Sequence, residues 1–170
     1  MGQRVLADKK IKLTILTAKP ANETSPTIAE LNAGIEACMK VLYDGFQFSA
    51  VDSATQSGKM LCGSNEEAFT DENFALGFTV ARQYLAAGGI DPTGDALFEA
   101  VKLRGTTLWA YARFTDKPAI TAWAAGDEIY LGARFMTDNL QMPDTPAWVS
   151  FHVPTRVQAG WPFLTAAAGA

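Results

Sequence analysis

Residues 91–138 read DPTGDALFEAVKLRGTTLWAYARFTDKPAITAWAAGDEIYLGARFMTD. This stretch changes period twice, and the changes decide the fold class. Ala96, Leu97, Ala100, Val101 and Leu103 follow helical spacing. Asp95 is placed to cap the first turn with its carboxylate. Gly105 ends the segment, because glycine enters the left-handed conformation without a Cβ clash. Beyond it, Leu108, Ala110, Ala112 and Phe114 alternate with Trp109, Tyr111 and Arg113, as in a strand. Asp116–Pro118 break that run. Ala125-Gly126-Asp127 introduces a second strand, with Ile129, Leu131, Ala133 and Phe135 on one face and Tyr130, Arg134 and Met136 on the other.

Outward from there, strands dominate. In Lys10–Thr17, Ile11, Leu13 and Ile15 alternate with Lys10, Lys12 and Thr14. Thr27–Asn32 has capping-box spacing, Thr27 to Glu30, and predicts one helical turn. Glu36–Tyr43 and Phe46–Val51 flank Asp44-Gly45, a pair suited to the positive φ of a tight hairpin turn. Residues 51–72 read as an exposed loop with a short strand near Lys59–Cys62. Asn73–Leu85 is the longest period-2 run: Phe74, Leu76, Phe78, Val80 and Tyr84 oppose Ala75, Gly77, Thr79, Ala81 and Gln83. The small face fits a channel wall or a surface on which another layer packs closely. The last strand is Ala147–Val157, where Pro154 marks an edge or bulge because it lacks an N–H. Gly160–Ala170 reads as a fraying tail.

The chain thus predicts one domain over residues 1–170, with an N-terminal arm, a long loop at about 52–72 and a flexible C-terminal tail. The fold class is mainly β: an antiparallel β-sandwich or partly closed barrel with one flanking α-helix. Apolar residues make up 48% and charged residues 19%, an ordinary globular balance. No apolar run approaches the roughly 18–20 residues of a membrane span. The first residues show no apolar core of a secretion signal.

Charge is uneven. Residues 1–20 carry five Lys/Arg and one Asp, residues 21–100 three and twelve Asp/Glu, and residues 101–170 six and five. This is not the pattern of a basic nucleic-acid binder. Catalytic chemistry finds little support. His152 has no neighbouring carboxylate motif to orient it as a base. Cys38 and Cys62 lack metal-ligand spacing. Glycine loops for phosphates and a G-x-S-x-G nucleophile are absent. Asp127 and Glu128 point to opposite faces of a strand, so they make a poor acid/base pair. Catalytic residues, cofactors and metals are each expected to be none. Trp109, Trp123, Trp148 and Trp161 read as core or interface anchors.

GDALFEAVKLRGTTLWAYAR and AWAAGDEIYLGARFMTDN, preceded in order by PTIAELNAGIEA and DGFQFSAVDSAT, resemble the major tail (tail tube) protein of long-tailed, non-contractile bacteriophages. The likeness runs from about Pro26 to Trp161. It implies a structural virion protein, made in the bacterial host cytoplasm, that forms stacked hexameric rings. Inner sheets of all subunits would close one large barrel around a DNA-conducting lumen, and a long loop and the terminal arms would join rings. It also implies the tape measure protein and DNA in the lumen, and terminator and tail tip proteins as neighbours. A lumen should repel phosphate, so Glu66, Glu67, Asp71, Glu72, Asp127 and Glu128 are candidate lumen-facing residues. Two alternatives stand beside this: a monomeric β-barrel that binds a small apolar molecule, and another tail component such as a terminator.

Overall fold

The computed structural model describes residues 6–59, 61–63, 65–143 and 148–169. Expectations that touch residues 1–5, Met60, Ala147 and Ala170 lie outside the described residues. The elements run β1 (Ile11–Leu16), α1 (Ile28–Ala33), β2 (Ile35–Glu36), β3 (Val41–Lys59), β4 (Asn65–Ala81), α2 (Ala96–Val101), β5 (Thr107–Phe114), β6 (Glu128–Thr137) and β7 (Ser150–Thr165). All strand pairs are antiparallel, in the order β2-β1-β5-β6-β7-β4-β3. The protein is mainly β, the sheet does not close into a barrel, and two short helices flank it rather than one.

β7 divides the sheet into two halves. Its residues Ser150–Pro154 pair with β4, and Thr155–Thr165 pair with β6. Pro154 sits at the hand-over, where a missing N–H costs no ladder bond, and its carbonyl accepts from Asp138 N–H at 2.9 Å. The halves share one core. Leu13, Ile15, Leu108, Ala110, Leu131 and Phe135 from one side meet Phe48, Leu76, Phe78, Val80 and Val153 from the other, with Leu97 and Val101 of α2. Phe78 and Phe135 meet edge to face, centroids 6.4 Å apart. This matches the bulky face read along residues 74–80.

A second, smaller core lies on the opposite face of β1, β5 and β6. Leu16, Leu31, Trp109, Tyr111, Trp123, Ile129 and Ala166 form it. β5 is therefore buried on both faces. The polar face of β1 is covered as well. Thr14 accepts from Trp123 Nε1 at 2.9 Å, and buried Lys12 donates to Glu36 at 3.0 Å and to the Ala119 carbonyl at 3.2 Å. α1 has its expected capping box: Thr27 and Glu30 bond reciprocally.

Five local expectations are corrected. Asp44-Gly45 makes no hairpin turn, because β3 runs straight through it. The pairing slips from Leu42↔Thr79 to Gln47↔Gly77, and Gly45, at φ +80, relieves the bulge. Residues 52–72 are not an open loop but the outer part of a β3–β4 hairpin, paired from Val51↔Asn73 to Lys59↔Asn65. β4 accordingly begins at Asn65 and stops at Ala81, leaving Tyr84 outside the strand. Residues 160–165 do not fray: they complete β7 against β6, and Ala167 bridges Thr27. Asp95 does not cap α2, because Arg82 and the Gln83 N–H hold its carboxylate instead.

Candidate assembly surfaces

The outer face of the β3–β4–β7 half follows from its register. Gln47, Gly77 and Pro154 lie in one row, Thr79 and His152 in the next, and Ala81 opposite Ser150. Residues directly opposite share a face. Ser49 stands opposite Ala75 and Leu42 opposite Thr79, so this face carries small or uncharged side chains, of which Thr79 and Ser150 are buried. His152 lies among them, its Nδ1 3.5 Å from Thr79 Oγ1, and its backbone pairs with Gln141 on the other side. No carboxylate among the described residues hydrogen-bonds to His152. Among the described residues no group of three or more His, Cys, Asp or Glu is placed to hold a metal ion.

β3 ends the strand order, and among the described residues it pairs only with β4. A row of backbone donors and acceptors is thereby left open along a 19-residue strand. The hairpin Val41–Ala81 holds six Asp/Glu and one Lys, a net charge of −5, against −4 for the whole chain. The acidic balance of the protein thus resides on this element. Leu61 and Phe69 stand out in solvent near its far end.

The six acidic candidates do not form one cluster. Asp71 is exposed and, by alternation along β4 from Asn73 and Ala75, shares the small outer face. Glu72 lies on the opposite face with Phe74, beside Val157–Gly160 of β7. Glu67 is exposed and accepts from Thr55 Oγ1 at 2.8 Å. Glu66 pairs through its backbone with Gly58, and its side chain lies outside the described residues. Glu128 is exposed at the start of β6, opposite Thr165.

Asp127 belongs to a different environment. It is 5% exposed and accepts from Arg113 Nη1 at 2.8 Å, from Ala124 N–H at 3.1 Å and from Lys117 Nζ. Burial by itself would raise its pKa. The hydrogen bonds from Lys117, Ala124 and Arg113 outweigh burial and hold the carboxyl below the usual range. Arg113, wholly buried, also donates to the carbonyls of Pro118, Thr121 and Ala122 and stacks on Trp123. This node fixes the 115–127 connection, and Asp127 offers no free charge to an aqueous wall.

Sequence reasoning missed that node and two others. Arg82, whose guanidinium lies over the Phe98 ring at 3.8 Å, ties the end of β4 to α2 through Asp95. Glu23 accepts from Trp109 Nε1 at 2.7 Å, and its carbonyl accepts from Tyr111 Oη at 3.0 Å. The available signal was a charged residue inside an apolar alternation, as at Arg113, with its partner at no fixed spacing.

An open apolar cleft of about 840 Å³ lies between the base of β3 and the β1–β5 side of the sheet. Ile11, Met39, Leu42, Phe46, Phe114 and Ile120 line it, with Lys9 and Asp8 at its rim. Cys38 also lines it, and burial with the neighbouring Glu36 pushes that thiol up to about 11.

The sequence model of the family described as phage tail tube protein matches residues 1–170, the whole chain. No curated protein and no solved structure matches the chain at significance.

Proposed function

Since the chain belongs to the phage tail tube protein family, we propose that it polymerises as stacked hexameric rings into a tube that conducts DNA into the host cell. It is a structural protein of the virion tail, and its family is not an enzyme class. The observation that carries the finer reading is the β3–β4 hairpin. Its free β3 edge must be paired or covered in any assembled state. Its inner neighbour β4 presents a face of small side chains that ends in the acidic Asp71. Its net charge of −5 repels phosphate.

In this reading the small face of β4 and β7 looks into the lumen. Asp71 continues that face, and exposed Glu67 and Glu128 extend the acidic field around it. Affinity for DNA comes mainly from Lys and Arg that displace counterions from phosphates, and a conduit with such residues on its wall would hold its cargo. The tape measure protein occupies the lumen before DNA does, and terminator and tip proteins close the two ends. The purified protein has no turnover of its own.

Negative-stain microscopy with size measurement tests the assembly. Rings or tubes of sixfold symmetry are expected. A stable monomer of 18.2 kDa that retains an apolar ligand in the cleft would reject the tube reading in favour of a small-molecule binder. Virions carrying Asp71→Lys should assemble yet eject DNA more slowly, and the defect should shrink as salt shortens the screening length. Normal ejection at low salt would remove Asp71 from the wall.

A further inference from the structure

We propose that His152 is a pH-controlled brake on the DNA path: once its imidazole takes up a proton, this band of the wall attracts phosphate and slows passing DNA. The proposal rests on the reading that the β4–β7 face looks into the lumen, and it adds a control to that face. His152 is the only histidine of the chain. An imidazole is the ordinary side chain that gains a positive charge as pH falls from about 8 to about 5. The wall therefore holds one group per copy whose charge changes sign of action in that range.

No carboxylate holds the ring. Opposite it on β4 is Thr79, whose Oγ1 lies 3.5 Å from Nδ1. Gly77 follows on the same face, and a Cβ there would meet the ring at 3.8 Å, so the imidazole lies against bare backbone. From β3, the Asp44-Gly45 bulge reaches Thr79: a Cβ at Gly45 would lie 3.5 Å from the same Oγ1, and Asp44 beside it is exposed. On the other side Gln141 pairs with the His152 backbone, and Asp138 is shared between Arg104 and Arg156. By alternation Arg156 lies on the face of His152, about 13 Å further along β7. Arg82, at the end of β4, is held by Asp95 beside α2. Asp44, Asp138 and Arg156 are thus the charges around the ring, with Asp71 further along β4.

His152 is half-buried, yet its charge acts beyond contact. At 0.1 M salt the field of a charge reaches about 10 Å. A hexameric ring would repeat the proton in every copy, as a band around the duplex. The brake is on at acid pH and off above it. Each phosphate neutralised adds about 0.9 to the salt slope of DNA binding, so the brake weakens as salt rises.

Virions are triggered with host envelope extract at low salt, and released DNA is followed with a fluorescent dye at about pH 7.5 and about pH 5.5. Parent virions should eject about threefold or more slowly at the lower pH, and added salt should shrink the difference. His152→Gln, polar and uncharged, should remove most of it. His152→Lys should eject slowly at both pH values. A His152→Gln virion as pH-dependent as the parent overturns the proposal, and so does a His152→Lys virion that ejects normally at low salt. Slow ejection from Asp71→Lys but not from His152→Lys refutes the brake and leaves the lumen reading standing. Normal ejection from both Lys variants removes this face from the lumen and the brake with it. Should His152→Lys tails not form, the comparison of His152→Gln with the parent decides the matter alone.

Discussion

Asp127→Asn probes the electrostatic node that shapes the 115–127 connection. The substitution keeps the volume and one acceptor oxygen and removes the charge. Arg113 is left fully buried with only the carbonyls of Pro118, Thr121 and Ala122 as close partners. Its Nε already has no partner among the described residues. At an effective dielectric of about 20, charges about 4 Å apart attract by about 4 kcal/mol. Breaking a buried pair by removing one member typically costs about 3–5 kcal/mol. Both estimates agree, so a loss of about 3–5 kcal/mol is expected for Asp127→Asn. Lys117→Ala removes the other cation bound to the same carboxylate. Its side chain is 44% exposed, so screening by solvent limits the loss to under about 1 kcal/mol. Urea unfolding followed by tryptophan fluorescence separates them, because Trp123 lies 5.3 Å from the Arg113 guanidinium. With a slope of about 2 kcal/mol/M, the Asp127→Asn midpoint should fall by about 2 M and that of Lys117→Ala by less than about 0.5 M. Equal midpoints for the two variants would refute the assignment of Arg113 as the charge that needs Asp127.

Phe78→Ala, at the contact between the two sheet halves, should cost about 3–5 kcal/mol in the same unfolding assay. Thr79→Ser, on the outer face, should shift stability by less than about 1 kcal/mol; equal tolerance would reverse the faces. Gly160→Ala should destabilise by about 1–3 kcal/mol, since the added Cβ would meet the Phe74 ring at 2.5 Å; an unchanged melting midpoint would mean that the ring moves freely. The Asp127 and Glu30 carboxyls are both held below their ordinary pKa values, Glu30 chiefly by the Ala21 and Thr27 N–H groups. Their stabilisation is present above the ordinary carboxylate pKa and is lost as pH falls through the lowered one. Unfolding midpoints measured across the acid range should therefore fall less steeply in Glu30→Gln than in the parent, and an identical slope would contradict this.

Local periodicity and local spacing were enough for much of the fold. The alternation along Leu108–Phe114 and Phe74–Val80 identified the strands that build the shared core, because one face of each must leave water. Thr27 and Glu30 announced the α1 cap, since a capping box closes over three residues and needs nothing from elsewhere. Pro154 marked a break in pairing for the same kind of reason: a missing N–H is a property of the residue. What sequence spacing left undetermined depends on partners distant along the chain. Residues 52–72 carry polar side chains on both faces, so their pairing is made by backbone bonds that leave no apolar alternation. Asp44-Gly45 suits a turn and a bulge alike, and the pairing of Phe48 with Leu76 beyond it selects the bulge. Asp95 and Asp127 looked like a cap and a surface acid. Each is instead drawn inward by an arginine, Arg82 or Arg113, and an ion pair formed between strands has no fixed sequence spacing. The cleft and the free β3 edge likewise exist only once the sheet order is set, because an edge is defined by the neighbour that a strand does not have.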